Sequence, residues 1–302
     1  MKTIVIIVTF NASRWIHLCI GSLLNSTIPV DILVIDNGST DGTLEIIKTK
    51  FPSVILIELK ENIGFGKANN IGLKLVLDKD YQYAFLLNQD AWVESDTIEK
   101  MVAVQKRYPE FGVLSPIHIS GDERNLDNNF TTYINGYSCP GLISDIIFKR
   151  ELKEVYEIDF VNAALWLMSR QVLEKVGGFD PLFFMYGEDD DYLDRLKYHG
   201  FKVGICPGAF GYHDRSQEMN DVKNWSLERL LSSHILRIKS LKTEPPHKML
   251  FYRALFKSTL KSITDRKDLK KLRLVRIIIQ NYNKIIQHRI KCMLPQPSFI
   301  DE

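Results

Sequence analysis

Cysteine is scarce in this sequence of 302 residues, and the four present (Cys19, Cys139, Cys206, Cys292) are scattered with no CxxC pair. That spacing argues against a zinc ribbon or a disulfide framework and suits a reducing compartment. Long hydrophobic runs are missing as well: no stretch reaches the roughly 18 apolar residues of a membrane span. The opening "MKTIVIIVTFNASRW" carries an apolar run too short for a signal peptide, and polar residues follow at once. No internal repeat or low-complexity segment is present, which argues against a repeat array. These absences lead to the expectation of a cytoplasmic protein that meets a membrane only from the side.

What is present is ordinary in total and uneven in distribution. Hydrophobic residues make up 45% and charged residues 25%, enough for a sizeable core. The net charge of +2 hides a split: Leu236 to Cys292 holds 16 Lys/Arg against 3 Asp/Glu, leaving an acidic body. A basic tail of this kind points to an anionic surface or partner.

The first 90 residues alternate between two periods. "TIVIIVTF", "VDILVIDNGS", "SVILIEL" and "YAFLLNQD" read as strands. Between them, "SRWIHLCIGSLLNS", "DGTLEIIKTKF" (opened by Asp41) and "GKANNIGLKLVLDKD" read as helices. Such alternation predicts a mainly parallel twisted sheet flanked by helices, with right-handed crossovers. Ligands then bind beyond the carboxyl ends of the strands. Polar residues stand there in three clusters: Thr9 and Asn11; Asp36, Asn37 and Ser39; Asn88, Gln89 and Asp90. Each residue alone also reads as a turn or helix cap.

Further on, "SGDERNLDNNF" reads as a polar loop that flanks a site, and "EIDFVNAALWLMSRQVLEKVGGFD" as a strand, a helix from about Ser169 and a Gly-Gly stop. "FKVGICPGAFGYH" is a late strand, and beyond about Asn220 the pattern turns helical and basic.

Four motifs carry chemistry. Asp90, at the end of "NQD", reads either as a helix cap or as a carboxylate for a divalent cation on a diphosphate. In "NIGFGKANNIG", Gly64 and Gly66 precede a helix, but Asn69 stands where a dinucleotide fingerprint needs glycine. The loop can still offer N–H groups to an anion, with Lys67 either beside it or solvated. His213 follows the late strand and reads as a surface residue or a ligand. The fourth, "FFMYGEDDDYLDR", places Glu188, Asp189, Asp190 and Asp191 in a row. They read as an acidic first helical turn or as a reactive cluster. A helix starting near Glu188 puts Asp191 and Arg195 on its face, where Arg195 can neutralise Asp191, and turns Asp190 and Asp194 to water.

Taken together these stretches resemble the family-2 glycosyltransferases, inverting enzymes of GT-A fold. "VTFN", "DNGSTDGT", "NIGFGKANNIG", "LLNQD" and "GGFDPLFFMYGEDDDYLDR" stand in the family's order, and His213 follows at a fitting distance. The likeness covers about residues 1–220, especially to bacterial surface-polysaccharide and rhamnosyltransferase-like members. It implies a catalytic domain over 1–220, with a nucleotide half to about 115 and an acceptor half beyond, and a basic helical extension over 221–302. It implies sugar transfer from a UDP- or dTDP-linked donor to a hydroxyl, with Asp189 as general base and Glu188 beside it. Thr9, Asn11, Asp36, Asn62, Lys67 and Asn88 would surround the nucleotide-sugar. Asp90 and His213 would hold Mg²⁺ or Mn²⁺, and Tyr186, Asp191 and Arg195 would face the acceptor. Phe183, Phe184 and Tyr186 read as walls of the acceptor site, the two Phe equally as core. One departure stands out: the first position of the family's D-x-D is Asn88. An alternative implied by it is a glycan- or partner-binding protein with impaired catalysis.

The tail segments "KMLFYRALFKSTLKSI" and "LKKLRLVRIIIQNYNKIIQHRI" place Lys/Arg beside apolar residues at helical spacing. That suits an interfacial helix at the inner face of the plasma membrane, where a lipid-linked glycan would be the acceptor. It suits equally an appendage packed on the domain or a dimer contact. Nothing outside the tail suggests nucleic acid.

Overall fold

The computed structural model describes residues 2–215, 226–245 and 269–301. Its sheet runs in the order β3-β2-β1-β4-β8-β6-β9-β5. In chain order the strands are β1 (Thr3–Thr9), β2 (Asp31–Asp36), β3 (Ile55–Glu58), β4 (Tyr83–Asn88), β5 (Ala91–Val93), β6 (Phe111–Ser120), β7 (Tyr156–Glu157), β8 (Leu165–Ser169) and β9 (Lys202–His213). β7 pairs with β9 off this path. The helices are α1 (Ile16–Leu24), α2 (Thr43–Lys50), α3 (Phe65–Asp78), α4 (Thr97–Arg107), α5 (Asn128–Tyr133), α6 (Leu142–Ile147), α7 (Arg170–Val176), α8 (Glu188–Tyr198), α9 (Ser226–Lys239) and α10 (Leu269–Cys292).

β1 to β4 pair in parallel, as the alternation predicts. Their apolar runs are continuous because both sheet faces are covered. Ile4, Ile6, Leu33 and Leu86 pack on the side of α3, α7 and α8, whereas Val5, Ile7, Val34 and Phe85 pack toward α1 and α4. A Cβ on Gly72 would stand 2.7 Å from the Ile6 side chain, so glycine lets α3 close on β1. β8 enters antiparallel between β4 and β6, which the sequence reading did not foresee. The architecture is nonetheless the expected mainly parallel twisted sheet flanked by helices, with a basic helical extension.

The extension packs on the body. Ile235 and Ile238 of α9 join Ile278, Tyr282 and Ile285 of α10 around Phe183. The spacing 278, 282, 285 is one helical stripe. Lys239 is buried between Asp180 and Asp191, and Arg289 donates to the carbonyls of Ser240 and Thr243. Of the three readings of this stretch (interfacial helix, packed appendage, dimer contact), the described part packs as an appendage; "KMLFYRALFKSTLKSI" lies outside the described residues. Among those residues no helix is long and apolar enough to cross a membrane.

Candidate active site

Parallel register brings the polar strand ends level: Thr9 pairs with Asp36, and Val8 with Asn88. Asp36 is fully buried. Its carboxylate accepts from the Thr9 hydroxyl (2.8 Å), the Ser39 hydroxyl (2.5 Å) and the Ser39 N–H (2.8 Å). Asn11, in the left-handed region at φ 53°, accepts the Thr40 N–H through Oδ1 at 2.9 Å. Asn62 Oδ1 accepts from Asn37 and from the Gly64 N–H, both at 2.9 Å. These bonds weld the tips of β1 and β2 to the start of α3. Lys67 stands half-buried on the first turn of α3.

Gln89 also belongs to this weld. It accepts the Phe10 N–H at 2.6 Å and donates to the Phe10 carbonyl at 3.2 Å, bridging β1 to the chain after β4. Its neighbours point elsewhere. Asp90 Oδ1 lies 3.4 Å from His213 Nε2, and Asn88 Nδ2 lies 3.5 Å from the same nitrogen. Behind the ring, Asp127 Oδ2 is 3.8 Å from Nδ1 and is tied to Arg215. Asp127 also caps α5 by accepting the Phe130 N–H at 2.8 Å.

An open cleft of about 570 Å³ begins at Asn88. Tyr186, Glu188 and Asp189 line it, facing Asn129 and Tyr133 of α5, Arg215 after β9 and Arg229 of α9. Tyr186 (φ 67°) and Gly187 (φ 90°) are both left-handed, and this double turn delivers the first turn of α8 to the cleft. Tyr186 is not glycine, so the turn stores strain beside the acids. The turn rests on Gly64, where a Cβ would meet the Phe184 carbonyl oxygen at 2.4 Å.

Burial, then the charge of Asp190, pushes the Asp189 carboxyl up to about 7. The N–H groups of Asp190, Asp189 and Ala163 oppose that rise only in part. Burial, then Asp189, pushes Glu188 up to about 8, and Glu188 Oε2 has no hydrogen-bond partner among the described residues.

Asp191 and Arg195 do not open onto the cleft, so the expectation of an acceptor contact is corrected. Both are buried: Arg195 Nε holds Asp191 Oδ2 at 2.9 Å and donates to the carbonyls of Val176 and Gly178. Their pairing is the one the helical spacing anticipates. Asp194 does not face water either. It accepts from the Ser240 hydroxyl at 3.0 Å and pairs with Lys242 at 2.8 Å. Phe183 turns into the α9–α10 core, and of Phe183, Phe184 and Tyr186 it is Tyr186 that lines the cleft, with Phe65, Tyr133 and Phe160 as further aromatic walls. Three residues escaped the sequence reading: Asp127, Arg215 and Arg229. Only Asp127 carried a local signal, as a cap three residues before Phe130.

The donor set of Asp90 and His213 suits a divalent cation. One carboxylate oxygen and one imidazole nitrogen converge from neighbouring strands, and the other positions would fall to phosphate oxygens and water. No group of three or more His, Cys, Asp or Glu side chains suited to a metal occurs among the described residues.

The family model described as "Glycosyl transferase family 2" matches residues 4–177, and "N-terminal domain of galactosyltransferase" matches 149–218. The chain belongs to glycosyl transferase family 2. It is similar to an N-acetylglucosaminyl-diphospho-decaprenol L-rhamnosyltransferase of Mycobacterium tuberculosis, 26% identical over 70% of this chain and 76% of that protein. It is 30% identical to glycosyltransferase GlyA of Streptococcus pneumoniae over 76% of this chain but 32% of that protein. The fold of S. aureus TarS 1-349, solved in complex with UDP, superposes with a TM-score of 0.57 at 16% identity, covering 97% of this chain and 83% of that one. Glycosyl transfer from a nucleotide diphosphate-sugar is the general activity these likenesses support.

Proposed function

We propose that the protein transfers a sugar from a UDP- or dTDP-linked donor to an acceptor hydroxyl with inversion, in the assembly of a cell-surface polysaccharide. The observation that carries this reading is the half-buried Asp189 in one cleft with the tip of β4. The mycobacterial relative is named for a lipid diphosphate acceptor, which favours a lipid-linked glycan here.

In this reading the weld of Thr9, Asn11, Asp36 and Asn62 shapes the nucleotide pocket, with Lys67 and Asn88 at its margin. Asp90 and His213 would hold Mg²⁺ or Mn²⁺, which when bound supplies positive charge against the leaving diphosphate. Tyr186 walls the acceptor side and limits water. Asp189, with its carboxyl raised toward neutrality, takes the proton of the acceptor hydroxyl as the bond forms. Glu188 keeps its proton at neutral pH and can donate a hydrogen bond to an oxygen in the cleft. Asp191 and Arg195 act from beneath by holding α8 in place. Residues to about 115 then serve the nucleotide and 116–220 the acceptor, while α9 of the extension borders the cleft.

The test is Asp189→Asn, assayed for sugar transfer with lipid-linked glycans. The variant melts no lower than wild type, since it removes a carboxyl raised by burial, and loses about 10²–10⁴-fold in turnover. Near wild-type turnover would remove Asp189 from the role.

A further inference from the structure

The pair of Asp90 and His213 leaves one buried atom unexplained. His213 is 2% exposed, and its Nδ1 has no hydrogen-bond partner among the described residues. Native structures rarely strand a buried polar atom without a reason. The backbone holds the ring in place: His213 pairs with Ala91 and Ser120 in the sheet, and its carbonyl accepts the Gly121 N–H at 3.1 Å.

The polar loop after β6 delivers the group that faces this atom. The chain turns left-handed at Glu123 (φ 60°) and returns along β6, with a bridge from Leu126 to Ile119 and the Asp127 N–H on the His118 carbonyl at 2.9 Å. Asp127 is thereby carried in beside the end of β9, buried. Its Oδ1 is used by the Phe130 N–H at the start of α5. Its Oδ2 accepts from Arg215 Nε and lies 3.8 Å from His213 Nδ1. A carboxylate oxygen accepts two bonds, so Arg215 does not exhaust it. The neighbouring His118 uses Nε2 on the Ser115 hydroxyl at 2.8 Å and stacks on Phe130, with its ring centre 6.5 Å from that of His213.

The other edge of the ring asks for the same proton placement. Asn88 Nδ2 lies 3.5 Å from His213 Nε2. An amide nitrogen only donates, so this contact needs a lone pair on Nε2. A neutral imidazole with its lone pair on Nε2 carries its proton on Nδ1, the nitrogen that faces Asp127. We propose that Asp127 is a positioning residue of the cation site: it draws the Nδ1–H of His213 and so leaves the Nε2 lone pair for the metal beside Asp90. This rests on the reading of His213 as a ligand. A carboxylate behind a ligating histidine fixes the ring and raises its basicity. The opposite tautomer would set a proton on Nε2 against Asp90 and shut that nitrogen to a cation. Asn88, the departure from the family's D-x-D, acts in the same direction, because an ionised Asp there would accept and favour Nε2–H. Asp127 also caps α5, whose Asn129 and Tyr133 line the cleft, so one side chain ties the ligand to the cleft wall.

The experiment is long-range ¹H–¹⁵N NMR on the full chain labelled with ¹⁵N-histidine and free of metal, with His213 assigned through His213→Gln. Wild type carries the His213 proton on Nδ1. Asp127→Ser keeps an N-cap for α5 and removes the group that faces the ring. In that variant the proton moves to Nε2, and Mn²⁺ affinity, read from the electron paramagnetic resonance of the free ion, falls at least about tenfold. Melting and near-UV circular dichroism establish that the variant is folded. A wild type with its proton on Nε2 would overturn the proposal whether or not the variant folds. A folded Asp127→Ser protein that keeps the wild-type tautomer or the wild-type Mn²⁺ affinity would do so too. Mn²⁺ binding by His213→Gln at wild-type strength would remove the ligand reading beneath it. Neither measurement reads sugar transfer, so failure here is separable from failure of the Asp189 assignment.

Discussion

Replacing Lys239 by Met tests whether the extension is part of the catalytic body. Lys239 is 2% exposed, with Nζ 2.9 Å from Asp180 Oδ2 and in contact with Asp191 Oδ1. Met keeps the length of the stem, so lost packing is minor and the change isolates the charge. Removing one partner of a buried pair costs about 3–5 kcal/mol, because the other charge stays behind. Here the lower end applies. Asp191 keeps Arg195, and Asp180 keeps His288 at 2.8 Å and the Leu182 N–H at 2.8 Å. A loss of about 3 kcal/mol lowers the melting temperature by roughly 6–12 °C in a protein near this size. Burial alone would raise the Asp180 carboxyl, but the Lys239 charge and His288 hold it well below the usual carboxylate range. Stability from such a depressed acid is complete above its unfolded pKa and fades as pH falls through the folded one. The gap between wild type and variant is therefore full at pH 7 and narrows below about pH 4. Urea unfolding followed by tryptophan fluorescence measures it. The double variant Lys239→Met, Asp180→Asn removes both charges and recovers at least half the loss. A single variant within about 1 kcal/mol of wild type would refute the argument.

Asp36→Ala strands the Thr9 and Ser39 hydroxyls and the Ser39 N–H; roughly 2–4 kcal/mol is lost, and thermal shift by UDP or dTDP disappears. Glu188→Gln removes a carboxyl whose raised folded pKa makes wild-type stability fall between about pH 4.5 and 8, so the variant gains up to a few kcal/mol at pH 8 and its stability curve flattens there. Transfer activity rises with pH through about 7 as Asp189 loses its proton, and a profile already flat from pH 5 upward would contradict its assignment as base.

The first four strands were legible because a strand buried on both faces is written as an unbroken apolar run, and the turns between them carry their own polar residues. The Asp191–Arg195 pair was legible for the same local reason, four residues on one helix face. Lys239 was not. Its partners lie 48 and 59 positions away in the chain, and a buried lysine reads like any other basic residue of the tail. The amphipathic stripe of α10 was visible, but a stripe does not say whether lipid or Phe183 covers it. Arg229 reaches the cleft only because α9 packs there, so no motif announced it, and the polar cluster that contains Gln89 did not say that its side chain serves the backbone of Phe10. The antiparallel entry of β8 depends on how the chain returns after α6, which periodicity does not encode.

The row of four acids is explained by helix geometry once its surroundings are known. Successive residues of a helix point about 100° apart, so four neighbours sample the whole circumference. Glu188 and Asp189 point to the cleft, where burial raises both carboxyls toward neutrality. Asp190 stands exposed at the cleft's margin. Asp191 points inward, where Arg195 and Lys239 offset the cost of burying its charge. The like charges therefore do not share one environment. The two cations beneath fix the rotation of α8 about its axis, and that rotation decides which carboxylates reach the cleft. A helix turned by one residue so that Asp190 stood where Asp189 now stands would set Tyr192, not Asp191, against the cations and leave them without that carboxylate. Lys239, contributed by the extension, thus bears on which acid can act as base.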